Sequence, residues 1–169
     1  MVLLAILPAM SREKYNFNSE WRLHVGDETA AKQADYNDSG WLRVTLPYAF
    51  NGDEAFRKDI VDLTDTIEWY RKTFEVKEET VKQGKVLIEF EGVRQGADFY
   101  LNGQYLGFSE NGVMACGFDL TPHLQPGKNV LAVRCDNSWT YRSRKHDSRY
   151  QWNDRNFNAN YGGIPKNVW

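Results

Sequence analysis

Between residues 139 and 161 the chain interleaves Trp139, Tyr141, Tyr150, Trp152, Phe157 and Tyr161 with a polar set. That set is Arg142, Arg144, Asp147, Arg149, Asn153, Asp154, Asn156, Asn158 and Asn160. Flat rings stack on the C–H faces of sugars, while amides, carboxylates and guanidinium groups hydrogen-bond hydroxyls. A few such polar groups converging in a concavity make a small-ligand site. Single-stranded nucleic acid uses the same mixture, with rings on bases and Arg on phosphate. Residues 141–155 hold five basic side chains against two acidic ones, Asp147 and Asp154. The whole chain nevertheless carries a formal net charge of -2, so nucleic acid is not expected as a partner. A third use of the segment, packing its aromatics on a neighbouring domain, weighs as much as sugar contact and is compatible with it.

Self-contained catalysis is not visible. The sequence has no G-x-S-x-G elbow, no P-loop and no H-E-x-x-H. His24, His123 and His146 are scattered, so no metal is expected, and no cofactor either. Glu68, Glu89 and Glu91 lie on or beside strands. A glycosidase pair would have to face across roughly 5 to 9.5 Å. Solvent-facing strand charges are the favoured reading of these three.

The elements that must position such a site are strands. "IEWYRKTFEV" (67–76) is rich in aromatic and β-branched residues, which suit a pleated, half-buried surface. "KVLIEFE" (85–91) alternates, with Val86, Ile88 and Phe90 on one face and Leu87 and Glu89 on the other. "ADFYL" (97–101) runs into Asn102-Gly103, a hairpin signal because both turn positions need positive φ, and "QYLGF" (104–108) returns. Residues 113–120 and "NVLAVRC" (129–135) complete the set, joined through the turn residues of "TPHLQPGK". Helical pattern is confined to "ETAAKQADY" (28–36). Many short strands separated by turns predict an all-β antiparallel sandwich or barrel.

At 169 residues, with 41% hydrophobic and 14% aromatic content, the chain makes one domain with a full-sized core. Cys116 and Cys135 fit no metal spacing; two buried free thiols are favoured over one disulfide between neighbouring strands. "MVLLAILPAM" is too short to span a bilayer, which takes roughly 20 apolar residues, and no membrane partner is expected. It is similar to the apolar core of a secretory signal, without the basic start and with a poor cleavage site. The signal-remnant reading of residues 1–11 is favoured over an ordinary first strand. That leaves 12–169 as the domain and slightly favours a periplasmic or secreted location over a cytoplasmic one.

Taken in order, further stretches resemble one family. They are Tyr15-Asn16-Phe17-Asn18 with Trp21, Trp41 to Pro47 ("WLRVTLP"), Trp69 to Phe74 ("WYRKTF") and Phe90-Glu91-Gly92-Val93. Then come Tyr100-Leu101-Asn102-Gly103, Leu106-Gly107, Phe118 to Pro122 ("FDLTP"), Asn129 to Arg134 ("NVLAVR"), Asp136-Asn137-Ser138, Gly163-Ile164 and Asn167-Val168-Trp169. Each is weak alone, but together they cover nearly the whole chain. The chain is similar to the N-terminal sugar-binding domain of family 2 glycoside hydrolases, the β-galactosidases and β-glucuronidases.

The resemblance implies a jelly-roll β-sandwich of the galactose-binding type, followed by an immunoglobulin-like domain and a TIM barrel holding both catalytic glutamates. This chain alone is then expected to be catalytically inert, with a galactoside-like or glucuronide-like carbohydrate as partner. "GIPKNVW" is expected to begin the strand leading into the following domain, as in a module of a longer enzyme. Family members reach the barrel pocket with an Asp shortly before the Gly-Ile motif, a position held by Phe157 here. Asp154 and Asn158 are the expected substitutes, with Trp152 and Asn160 from the same segment. A second family contact, an Asn after the Leu-Pro turn, maps to Asn51, with Asp53 next to it. A plain turn at Asn51-Gly52 is equally compatible with the sequence.

Overall fold

The computed structural model describes residues 13–52, 65–82, 84–138, 140–148 and 161–169. Among these, ten strands follow one another along the chain. They are β1 (Trp21–Val25), β2 (Leu42–Val44), β3 (Tyr48–Ala49), β4 (Ile67–Val76) and β5 (Leu87–Phe90), then β6 (Gly96–Leu101), β7 (Gln104–Ser109), β8 (Cys116–Asp119), β9 (Gly127–Asp136) and β10 (Gly163–Ile164). Six of them form one antiparallel sheet in the order β2-β1-β4-β9-β6-β7. Its spine is β4 against β9, paired over ten residues from Ile67↔Asp136 to Val76↔Gly127.

The ladders β5–β8 and β3–β10 form the second layer. Main-chain bonds stitch them on: Glu89 and Trp169 exchange both hydrogen bonds, at 3.1 and 3.0 Å, and Arg94 and Gly163 do the same at 2.9 Å. Between the layers lies one apolar core, with Trp21, Tyr70, Phe99 and Leu131 from the large sheet meeting Phe90 and Ile164 from the other. This is the expected jelly-roll β-sandwich.

The hairpin signal is realised, with Asn102 at φ 53° and Gly103 at φ 83°. The alternation of 85–91 is realised too: Ile88 and Phe90 are buried while Leu87 is exposed. The 28–36 pattern gives a 3-10 turn, Thr29–Lys32, capped by the Glu28 side chain. Beyond the expected elements, the described residues include the strands β1, β2 and β3 and one short α-helix, α1 (Glu78–Lys82), with no buried residue. It has no apolar stripe to announce it. Two acidic residues in its first turn and a Lys82–Glu78 pair at 2.5 Å support it instead. Both cysteines are free, Cys135 buried and Cys116 half-buried. Residues 1–11, the signal question, lie outside the described residues.

The first half of β4 departs from a half-buried pattern because it is central and covered on both faces: Glu68 through Lys72 are all buried, whereas 73–76 alternate between exposed and half-buried. Each polar tip therefore needs a partner, and four of them find one. Trp69 Nε1 donates to Asp27 at 3.1 Å, and the Tyr70 hydroxyl donates to the Tyr48 carbonyl at 2.9 Å. The Arg71 guanidinium bonds Asp38 and the carbonyls of Ala31, Gln33 and Tyr36, fixing the 31–38 crossing over the outer face. Lys72 Nζ donates to the carbonyls of Phe17 and Ser19. Glu68 overturns the expected solvent-facing charge: its relative exposure is 0%.

Candidate functional site

The long aromatic segment leaves the sandwich after β9 and rejoins it at β10, and its two described ends are held differently. At the returning end Asn51, in the turn after β3, is buried, and its Oδ1 accepts from the Gly162 amide at 3.0 Å. Gly163 and Ile164 pair with Ala49 and Tyr48. The two glycines are required by close approach. A Cβ on Gly162 would lie 2.6 Å from the Phe50 ring and 2.9 Å from Asn137 Cγ. A Cβ on Gly163, where φ is +98°, would lie 2.1 Å from the Tyr70 hydroxyl. The Arg94 guanidinium stacks over the Tyr161 ring, 4.4 Å from its centroid. One rim thus collects Asn51, Arg94, Gln95, Asn137 and Tyr161, all but Tyr161 buried.

At the departing end, residues 140–148 fold back on β6 and β7. Arg144 grips Asp98 with two hydrogen bonds, 2.7 and 2.6 Å, and its guanidinium sits 4.9 Å from the Phe108 ring centroid. Glu110 accepts from the Tyr141 hydroxyl at 2.8 Å, from the Ser143 hydroxyl at 3.1 Å and from the Arg144 amide at 2.5 Å. Burial pushes the Glu110 carboxyl up, but these donors outweigh it and hold it below the usual carboxylate range. Tyr141 goes the other way: burial and the acceptor carboxylate raise its hydroxyl. Its ring lies against Gly96, where a Cβ would be 2.3 Å away.

Three side chains read from the sequence as hydroxyl-binding are therefore engaged within the chain: Arg144 with Asp98, and Arg142 with Asp147 at 2.8 Å. Of the six site residues expected from sequence, Asn51 is the one described, and it sits at the rim beside the returning end of the aromatic segment. Asp53, Trp152, Asp154, Asn158 and Asn160 lie outside the described residues. Sequence reading missed Asp98, Glu110, Arg94 and Asn137. Their partners are up to 71 residues away, as with Asn137 and Thr66, and no local spacing signals such a pair.

Fold and rim together define an all-β sandwich with a polar edge at the returning end of the aromatic segment. Comparison with known proteins identifies that architecture. Residues 16–169 match the model of "Glycosyl hydrolases family 2, sugar binding domain", and the chain belongs to that family. It is 36% identical to a β-glucuronidase of Formosa agariphila, covering 97% of this chain and 17% of that protein. It is 34% identical to the β-galactosidase BoGH2A of Bacteroides ovatus, covering 94% and 18%. Among solved structures, a family 2 β-glucuronidase superposes with a TM-score of 0.74 at 34% identity, covering 91% of this chain and 17% of that one. The chain thus spans less than a fifth of the length of these relatives.

Proposed function

We propose that this chain serves as the non-catalytic sugar-binding domain of a modular retaining glycoside hydrolase of β-galactosidase or β-glucuronidase type. It braces a catalytic barrel and lends polar contacts to the substrate sugar. The observation that supports this most is coverage: relatives with glycosidase names match almost all of this chain with less than a fifth of their own length. Following immunoglobulin-like and TIM-barrel domains are the proposed partners, and the chemistry is proposed to reside in the barrel.

Within the domain, Asp53, Trp152, Asp154, Asn158 and Asn160 are the proposed sugar contacts. Asn51 joins the two segments that carry them, through Gly162. A partial site binds weakly because ordering costs are met by few contacts. The test is heteronuclear NMR titration of the chain with a galactoside and a glucuronide, beside a hydrolysis assay with aryl glycosides. Millimolar shifts near Asn51 and Tyr161 with no turnover are expected. Turnover by the chain alone sinks the proposal. Micromolar binding points instead to a free-standing carbohydrate-binding module.

A structural domain that only packs on its neighbour is favoured by one specific observation: Tyr141, Ser143 and Arg144 are satisfied by Glu110 and Asp98 of the same chain. Absence of any shift with either sugar supports that second reading.

A further inference from the structure

Glu68 is the second residue of β4, fully buried, and neither carboxyl oxygen has a hydrogen-bond partner among the described residues. Its register neighbours are Val25 on β1 and Cys135 on β9, and neither offers a strong donor. Tyr70 shares its face, but that hydroxyl is spent on the Tyr48 carbonyl. On β6, Ala97 pairs with Cys135, and on β8 the Cys116 thiol packs against the same core. β3 and β10 bring Tyr48, Gly163 and Ile164. The nearest charges, Arg134 and Asp136, flank Cys135 along β9 and so point to the opposite face. There Arg134 is bound to Asp27 and Asp136.

An isolated carboxylate in such surroundings neutralises itself. Burial first, and then Asp136 against the opposing Arg134, pushes Glu68 well above the usual range; burial raises Cys135 and Tyr70 likewise. Three acids on this core face are thus all shifted towards their neutral forms.

Glu68 stands one residue inside the start of β4, next to Ile67. Two main-chain bonds tie that strand end to its neighbours: Gly26 N to Ile67 O at 2.7 Å and Asn137 N to Thr66 O at 2.9 Å. We propose that Glu68 is a proton-operated latch: its neutral form keeps the β1–β4–β9 end shut, and its ionisation releases the Gly26–Ile67 and Asn137–Thr66 bonds. Asn137 lies against Gly162, so the released end borders the rim at Asn51. The latch stands independently of which sugar, if any, that rim contacts.

The sign follows from the raised folded-state pKa. The folded chain keeps a proton that the unfolded chain releases above the ordinary glutamate value of about 4.3. Stability from this residue is complete in acid and falls as pH rises, until Glu68 ionises in the folded state. The loss approaches tenfold in the folding constant per pH unit, about one proton's worth.

The experiment is denaturant unfolding of this chain, Glu68→Gln and Glu68→Val from about pH 5 to 8, with amide exchange of Gly26 and Asn137 corrected for intrinsic rates. The expected result is a variant-to-native ratio of folding constants that widens with pH, with loss of protection at the two amides in the native chain alone. A ratio flat in pH, or amides indifferent to the substitution, overturns the latch. Infrared spectroscopy of the native chain covers the case in which a variant does not fold. A protonated carboxylic-acid band persisting at neutral pH is expected, and its absence overturns the proposal.

Discussion

The two ends of the aromatic segment contrast. The departing end is held by charge: Asp98 and Glu110 receive Arg144, Tyr141 and Ser143 at a partly exposed edge. The returning end is held by shape and main chain: Gly162 and Gly163 sit where no Cβ fits, between Phe50, Asn137 and Tyr70, and Asn51 accepts from the Gly162 amide. A charged clamp in contact with water is tunable and modest in strength, because the dielectric weakens it. A steric seat in the core tolerates no change, because packed atoms have nowhere to move. The segment is therefore fixed firmly where it meets Asn51 and adjustably where it leaves β9.

That contrast predicts an order of effects. Gly163→Ala should be the worst change, costing about 3 kcal/mol or more, since it meets the Tyr70 hydroxyl at 2.1 Å in a positive-φ backbone. Denaturant unfolding would show it, and native-like stability of the Gly163→Ala variant would mean that the seat is not steric. Next comes Asn51→Ala, which leaves the Gly162 amide buried without an acceptor, at about 1–3 kcal/mol. Asn51→Asp keeps an acceptor and should recover part of the loss.

Glu110→Gln should cost about 1 kcal/mol. Faster amide exchange should be confined to 141–148, while 162–164 stay protected; spreading to 162–164 would mean that the two ends are one unit. The same clamp should loosen in acid. Glu110 lies below its ordinary range in the folded chain, so its contribution is present above the unfolded value of about 4.3 and lost as pH falls through the folded one. This is opposite in sign to Glu68, and exchange at 141–148 against exchange at Gly26 over a pH series separates them. Smallest of all, Arg142→Ala removes a pair exposed on both sides and should leave the unfolding midpoint where it was.

Much of this architecture is legible in the chain because it is local. The Asn102-Gly103 turn, the alternation at 85–91 and the length of 67–76 each rest on backbone chemistry that neighbours a few residues away can supply. The alternation holds because β5 has one face on the core and one in solvent. It fails over Glu68–Lys72 of β4, where a central position covers both faces and a stretch expected to be half-exposed is buried, while 73–76 stay exposed or half-buried. α1 escaped because its support is one ion pair and its acidic first turn, with no apolar periodicity to find.

Of the candidate site, the sequence by itself determined the residue types available: a jelly-roll pattern, a long aromatic and amide-rich segment, and an Asn after the Leu-Pro turn. Local propensity and composition suffice for these, since they concern residues near one another along the chain. Tertiary structure alone decided what each polar group does. It sent Arg144 to Asp98, Glu110 to the segment's root, Asn51 to Gly162 and Glu68 into the buried core. Pairings across 34 to 111 residues are set by sheet register and layer packing, and a charge on a strand carries no mark of whether water or another layer will face it.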